Sequence, residues 1–310
     1  MYKDHILITG ASGFVGGHLA SRLIAMGYRV SMVVRSNLRI KHLSADYCLI
    51  DLQDHAKVAD LINSLRPDYV IHLASSKNRC SDLDTFQEIY DENVSNALNV
   101  IRPCLWLRDF KRFIFLGSCD EYGSSSAPYE ECQFESPVTA YGLSKLAITK
   151  ILAALYRAYN FPFVALRPSV IYGPGQGDEM FIPSLIKSLL EKKIFLMTEG
   201  EQTRDFIYIT DVVDVIIKTL VVSENVNGRI FNIGSGASHK IKDVAALVAN
   251  LVGSDALRLI NYGALNYRDN EVMHYSLNID LAKNFFEWDP VVDMRDGIQG
   301  TINYMKNLTN

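Results

Sequence analysis

The sequence predicts an α/β fold: a Rossmann-type, doubly wound parallel sheet with a small α/β substrate-binding lobe. Three observations carry that prediction. Short apolar runs alternate with helical patterns through roughly the first two hundred residues. A glycine-rich turn closes the first apolar run, and the alternation loosens after Pro174. Strands buried on both faces of a parallel sheet read as continuous apolar runs, which these are.

Taken in order, HILIT (5–9) is a buried strand, and residues 14–26 form a helix stopped by Gly27. RVSMVV (29–34) and YCLIDL (47–52) are the next strands, and a helix covers 56–65. Pro67 breaks the chain before the strand YVIHLA (69–74), and one long helical stretch runs from about Asp84 to Leu107. RFIFLG (112–117) is a fifth strand, 140–159 a helix and FVALRP (163–168) a sixth strand. Beyond a turn containing Gly173, Gly175 and Gly177 come a helix at 181–191, a helix at 211–222, the strand RIFNIG (229–234) and a helix at 241–252. The tail from Leu257 to Asn310 is less regular. Residues 1–168 are therefore expected to form a nucleotide-binding domain to which 205–235 return, with 169–204 and 236–310 making the lobe.

With 310 residues, 48% hydrophobic and 21% charged, the chain has the composition of an ordinary globular protein. A formal net charge of −4 with no basic block argues against nucleic acid as a partner. No run approaches the ~18 apolar residues that span a bilayer, so no membrane association is expected. Cys48, Cys80, Cys104, Cys119 and Cys132 are odd in number and form no C-x-x-C pair. Free thiols and a cytoplasmic location are expected. The His residues are scattered, so no metal site is expected.

The first strand ends in Thr9-Gly10-Ala11-Ser12-Gly13-Phe14-Val15-Gly16. Glycines permit a tight turn and a close backbone approach, and the helix that follows aims its first amides at a pyrophosphate. Gly-rich sequence alone also makes plain turns, but a strand before it and a helix after it point to phosphate. At the end of the second strand, a carboxylate hydrogen-bonds the ribose of NAD and an arginine accommodates the extra phosphate of NADP. Here that position is Arg35, followed by Ser36 and Asn37, with Arg39 and Lys41 close behind. NADP is therefore the expected cofactor, ahead of NAD; the plain alternative is that Arg35 is a solvated surface residue.

Tyr141-Gly142-Leu143-Ser144-Lys145 opens a helix, and i, i+4 spacing places Tyr141 and Lys145 on one face. An ammonium near a phenol lowers the phenol pKa from ~10 toward neutrality. Such a tyrosine exchanges a proton with a substrate oxygen while hydride moves to or from nicotinamide. Ser118 closes the fifth strand, where its hydroxyl can reach the same oxygen. A turn-forming Ser118 and solvated Asp120 and Glu121 are the structural alternatives.

Together these residues resemble the extended short-chain dehydrogenase/reductases, the NAD-dependent epimerase/dehydratase family. The resemblance spans almost the whole chain. It rests on TGASGFVG (9–16), Asp51-Leu52, HLAS (72–75), Asn93-Val94, SCDEYG (118–123), YGLSK (141–145), RPSVIYGPGQ (167–176), TRDFIYITD (203–211) and NIGSG (232–236). It implies that Gly10, Gly13, Phe14, Val15 and Gly16 line the pyrophosphate and that Asp51 and Leu52 hold the adenine. Leu73, Ala74 and Asn93 would flank the nicotinamide side, with Pro168 and Val170 beside the ring. Ser118, Tyr141 and Lys145 would be catalytic, and Tyr141 and Lys145 would also touch the cofactor. Ser75, Ser118 and Cys119 would meet the sugar, while Arg204 and Arg268 resemble the arginines that grip the diphosphate of a nucleotide-sugar. Two planar forks suit a dianionic diphosphate, though a surface ion pair is the alternative for each. Helices near 84–107 and 140–159 resemble those that pair across a two-fold axis in the family, implying a homodimer.

The pattern also departs from the family. Dehydratase members carry Thr-Asp-Glu-x-Tyr-Gly, and alignment on Tyr122-Gly123 puts Cys119 at the first acid position. A one-residue gap restores the pair Asp120-Glu121. Ser169 and Val170 stand where many members have asparagine. SCDEYG and Arg35 look most like nucleotide-linked 4-keto-6-deoxyhexose reductases. The expected reaction is thus NADPH-dependent reduction of a C4 ketone on such a sugar. The alternatives are an NAD-dependent 4-epimerase of a nucleotide-sugar, then a 4,6-dehydratase. A non-catalytic NAD(P)-sensing module of the same fold has no use for a proton-transfer set.

Overall fold

The computed structural model describes residues 4–35, 45–78, 82–269 and 271–309. In chain order the first part contains β1 (His5–Thr9), α1 (Phe14–Ala25), β2 (Arg29–Val34), β3 (Asp46–Leu49), α2 (His55–Leu65) and β4 (Tyr69–His72). There follow α3 (Leu83–Ile89), a π-helical turn (Tyr90–Ser95), α4 (Asn96–Cys104), β5 (Arg112–Leu116), a 3₁₀ turn (Cys119–Glu121), α5 (Ala140–Tyr159) and β6 (Phe163–Pro168). The remainder comprises β7 (Val170–Tyr172), α6 (Phe181–Leu190), β8 (Phe195–Leu196), β9 (Thr203–Tyr208), α7 (Ile209–Val221) and β10 (Arg229–Ile233). It ends with β11 (Ser238–Lys240), α8 (Ile241–Val252), β12 (Ile260–Asn261), α9 (Asp280–Phe286) and α10 (Met294–Thr309).

Seven strands form one parallel sheet in the order β10-β6-β5-β4-β1-β2-β3. The order reverses between β1 and β4, which opens a crevice at the carboxyl ends of those strands. Alternation along β1 divides the core. Ile6 and Ile8 pack with Leu19 and Leu23 of α1 and with Val212 and Ile216 of α7. Leu7 faces the other layer, with Val100, Phe113, Phe115, Ile148 and Leu152. A third core gathers Leu185 and Ile186 of α6, Val244 and Val248 of α8, and Ile298 and Ile302 of α10. Small sheets β11-β9-β7 and β12-β8 lie outside the large one. Residues 229–233 return to pair with β6 in parallel register.

The structure departs from the sequence reading at 84–107, in the tail and at the end of β3. The stretch 84–107 is not one regular α-helix, because residues 90–95 widen to a π turn. That turn buries Asn93, whose side chain needs partners that a hydrophobic pattern does not reveal. The tail holds the 16-residue helix α10. Gly297 reads as a breaker there, yet a Cβ at that position would lie 2.2 Å from the Tyr172 hydroxyl, so the helix needs a bare backbone to pass the ring. Lastly, β3 ends at Leu49 rather than 52, and Asp51 falls in the turn beyond it.

Among the described residues no helix is long and apolar enough to cross a membrane, and no cluster of His, Cys, Asp and Glu could hold a metal. Cys48, Cys104, Cys119 and Cys132 are free thiols, while Cys80 lies outside the described residues.

Candidate active site

The first glycine turn leaves β1 at the crevice. Gly10 has φ +70°, and a Cβ there would sit 2.5 Å from the backbone nitrogen of Ala74. The turn is therefore pressed directly against the chain leaving β4. A Cβ on Gly16 would meet the Gly10 carbonyl at 2.4 Å, so α1 also starts in contact with the loop. Gly13 caps α1 without any side-chain hydrogen bond, and its own amide donates to the Gly10 carbonyl at 3.0 Å. The first amides of α1, from Phe14, Val15 and Gly16, thus have no capping side chain over them. A space bounded by bare backbone, with helix amides aimed into it, fits a pyrophosphate. Thr9 ties the two sides of the crevice together: its hydroxyl meets His72 Nδ1 at 2.8 Å, and its carbonyl accepts from the Leu73 amide at 3.1 Å.

Around the rim, Arg35 follows β2 with its side chain exposed. Residues 36, 37, 39 and 41, the remainder of the predicted ribose-side cluster, lie outside the described residues. Asp51 is exposed and accepts from the Gln53 amide at 3.0 Å, while Leu52 is buried and its carbonyl accepts from Asn99 at 2.9 Å. Ser75 is half-buried just beyond Ala74. Pro168 ends β6 and Val170 starts β7, at the same carboxyl edge of the sheet.

Tyr141 and Lys145 occupy the first turns of α5, which Thr139 caps by accepting from the Gly142 amide at 3.0 Å. The 3₁₀ turn bearing Ser118 lies close by. A Cβ on Gly142 would be 2.5 Å from the Asp120 carbonyl, so glycine lets α5 touch that turn. Lys145 is buried and donates to the Leu116 carbonyl at 2.8 Å, with its Nζ 5.7 Å from the centre of the Tyr141 ring. Burial brings its pKa down to about 8, Glu121 opposes the fall and Lys77 adds to it. Ser118 is buried, and its Oγ accepts from the Asp120 amide at 3.1 Å, which leaves the hydroxyl hydrogen to donate elsewhere. Asn93 accepts from the Ser76 amide at 2.7 Å and donates to Ser144 Oγ at 2.9 Å, and Ser144 in turn donates to the Tyr141 carbonyl at 2.8 Å. The π turn therefore braces the start of α5. A tyrosine, a lysine and a serine at the end of one sheet can exchange a proton with an alcohol or carbonyl oxygen.

The two predicted phosphate arginines differ. Arg268 is exposed. Arg204 stacks on Tyr275, with its guanidinium carbon 4.6 Å from the ring centre. Its Nη1 donates to the carbonyls of Thr203 at 2.7 Å and Val272 at 2.8 Å, and its Nη2 pairs with Glu271. In this arrangement it fastens the 271–275 segment to β9.

The sequence offers Glu121 as a loop acid or as a member of a restored dehydratase pair. The structure gives it another place. Glu121 is fully buried, caps the Ser118 amide at 3.0 Å and pairs with Arg167 at 2.8 Å. Its carboxylate is committed to those groups, which argues against a second dehydratase acid; Cys119, also buried, stands at the first acid position. Arg167 further binds Glu135 at 2.8 Å. The capping-box spacing of Ser118 and Glu121 was the available signal for this role.

A model of the NAD dependent epimerase/dehydratase family matches residues 6–234. A putative UDP-glucose 4-epimerase of Methanocaldococcus jannaschii is 28% identical, across 97% of this chain and 98% of that protein. The CDP-abequose synthase of Salmonella typhimurium is 27% identical, across 96% and 97%. Among solved structures, the UDP-glucuronic acid 4-epimerase of Bacillus cereus, in complex with UDP-glucuronic acid and NAD, superposes with a TM-score of 0.89 at 26% identity, across 98% of this chain and 99% of that one.

Proposed function

The chain belongs to the NAD dependent epimerase/dehydratase family, and from that premise we propose that it inverts C4 of a sugar carried on a nucleotide diphosphate. What supports this reading is the start of α5, with Tyr141 and the buried Lys145, set against the turn that bears Ser118 and against the Leu116 carbonyl at the end of β5. The 4-epimerases among its relatives support it.

The proposed division of labour follows the geometry. Gly10, Gly13 and Gly16, with the amides of Phe14 and Val15, hold the pyrophosphate of the dinucleotide. Asp51 and Leu52 hold its adenine end, and Leu73, Ala74, Asn93, Pro168 and Val170 flank its nicotinamide end. When bound, the dinucleotide supplies hydride acceptance and return. Tyr141 takes the proton from the O4 hydroxyl and gives it back, Lys145 stabilises the phenolate, and Ser118 donates a hydrogen bond to O4. Ser75 and Cys119 border the sugar. Arg268 meets the diphosphate, and Arg204 joins it by exchanging Glu271 for phosphate. Residues 1–168 with 205–235 form the nucleotide-binding part of this proposal, and 169–204 with 236–310 the sugar-binding part.

A second reading, an NADPH-dependent reductase of a nucleotide-linked 4-keto-6-deoxyhexose, is favoured by Arg35. The position after β2 carries a cation where an acid would suit the free ribose hydroxyl of NAD. Cofactor balance separates the two. A reductase oxidises one NADPH per product, so nicotinamide absorbance falls with turnover; an epimerase shows no net change. Arg35→Asp is expected to cost NADPH about 10-fold in affinity, the loss of roughly one charge-assisted hydrogen bond, and to spare NADH. Fluorescence titration of both cofactors checks this. Equal losses for both would remove Arg35 from the ribose site.

We also propose a homodimer. Leu83 (84% exposed), Tyr90 (51%) and Leu143 (45%) line up on α3, the π turn and α5, an apolar face open to solvent. Exposed apolar area of this kind marks association surfaces, and two such helices from each protomer would make an isologous contact. Light scattering at micromolar concentration should give twice the 34.8 kDa chain mass; a monomer would contradict the pairing.

A further inference from the structure

Asp205, on β9, is 1% exposed and is surrounded by hydrogen-bond donors. Its Oδ1 accepts from the Ser169 hydroxyl at 3.1 Å, from the Ser235 amide at 2.8 Å and from the Ser235 hydroxyl at 2.8 Å. Its Oδ2 accepts from the Gly236 amide at 3.3 Å. Gly234 leaves room for it, since a Cβ there would lie 2.4 Å from Oδ2. The donors come from two links that leave the large sheet: Ser169 joins β6 to β7, and Ser235 and Gly236 join β10 to β11. All four donors are uncharged. Burying an acid among neutral groups costs stability, and an apolar side chain would pack there without that cost. What only a carboxylate provides is pure acceptance. An amide or hydroxyl in its place would bring a hydrogen that needs an acceptor of its own.

We propose that Asp205 is a positioning residue for the nicotinamide end of the cofactor: by holding the Ser169 hydroxyl it fixes the Pro168–Val170 link that flanks the ring. This rests on the reading of Pro168 and Val170 as that flank. Ser169 is 7% exposed and is held at two points. Its amide donates to the Ile233 carbonyl at 2.7 Å, which extends the pairing of β6 with β10. Its hydroxyl ties the link to β9, whose Phe206 pairs with Val170 at the next position. Pro168 has no amide hydrogen to give, which leaves Ser169 to supply the donors at this point of the link. Hydride transfer needs the ring within about 3–3.5 Å of the reacting carbon, and a displacement of about 1 Å costs roughly 10²-fold. A side chain that touches neither ligand therefore acts on turnover through the place it gives the link.

The test reads the ring first and turnover second. Ser169→Ala removes the hydroxyl and leaves Asp205 its contacts with Ser235 and Gly236. Asp205→Ala removes the acceptor. The probe is the reduced dinucleotide that the full-length wild type binds more tightly, NADH or NADPH. Each variant should keep its affinity within about threefold, because the Gly10–Gly16 turn that holds the pyrophosphate is left intact. At saturation the bound nicotinamide should show lower fluorescence anisotropy than in the wild type, from added motion of the ring. The double variant should match Asp205→Ala, since the hydroxyl acts through the carboxylate. Unchanged anisotropy in Ser169→Ala, or a double variant more mobile than Asp205→Ala, overturns the proposal. Should Asp205→Ala not fold, the anisotropy of Ser169→Ala decides alone, because the hydroxyl it removes is bonded to Asp205. No sugar is present, so this outcome is independent of the substrate. Turnover then separates positioning from general loosening, with rates counted per cofactor-binding site. The substrate is UDP-galactose or, where the wild type runs only the reduction, a nucleotide-linked 4-keto-6-deoxyhexose. Ser169→Ala should lower kcat about tenfold and change KM by less than about threefold. An unchanged kcat, or a loss carried by KM, contradicts positioning of the ring. A wild type that runs neither reaction removes the reading of the substrate, and the anisotropy result still decides the role of Asp205.

Discussion

Tyr141→Phe lowers turnover by about 10²–10⁴-fold, the range for removal of a general acid–base, and leaves cofactor binding nearly unchanged. The phenylalanine keeps the ring in the first turn of α5, and the Thr139 cap and the approach of Gly142 to the 3₁₀ turn do not involve the lost hydroxyl. What is lost is the one hydroxyl assigned to exchange a proton with O4. Ser118 remains, but its Oγ is a hydrogen-bond partner of the Asp120 amide and has no adjacent ammonium assigned to it. The measurement is kcat for wild type and variant, alongside NAD(H) affinity by fluorescence. Near-full activity in the variant would remove Tyr141 from the chemistry.

Gly10→Ala should abolish dinucleotide binding within the measurable range, a loss of about 100-fold or more. Two effects act together. The left-handed backbone at φ +70° strains any L-residue, and the new methyl would have to fit within 2.5 Å of the Ala74 nitrogen. That neighbour is backbone, just beyond the pairing of β1 with β4 and next to Leu73, whose amide donates to the Thr9 carbonyl at 3.1 Å. The crevice therefore has to open or the turn has to leave it, and either moves the amides of α1. Overpacking of this kind costs about 1–3 kcal/mol of stability, so thermal unfolding should also shift downward. Wild-type affinity in the alanine variant would show that the cradle does not hold the pyrophosphate.

Much of this was legible in the sequence because local and global signals agreed. HILIT followed by glycines reads as a strand and a phosphate turn, and β1 with the Gly10–Gly16 loop stands there. The i, i+4 spacing of Tyr141 and Lys145 required only a helix, which Thr139 caps. Helix α8 begins and ends at the residues expected. The parts that were not legible depend on distant partners. The π turn exists around Asn93, whose partners Ser76 and Ser144 are 17 and 51 positions away. Helix α10 hides behind Gly297, which is small for the sake of Tyr172. Glu121 reads as a solvated loop acid until Arg167, 46 residues on, is folded against it. Arg204 shows the same limit from the other side: the sequence offers a diphosphate-gripping fork or an ion pair without naming its partner, and the fold supplies Glu271.

The central claim is that Ser118, Tyr141 and Lys145 act at C4 of a nucleotide-linked sugar. Proton NMR of the purified protein with NAD and UDP-galactose tests it most directly. UDP-glucose should appear with no net change in nicotinamide absorbance, and Tyr141→Phe should suppress its appearance. A protein that binds both NAD and UDP-galactose yet forms no 4-epimer, while oxidising NADPH stoichiometrically against a nucleotide-linked 4-keto-6-deoxyhexose, would contradict epimerisation and establish the reductase. If Tyr141→Phe left either reaction at the wild-type rate, the assignment of the catalytic residues would itself be wrong.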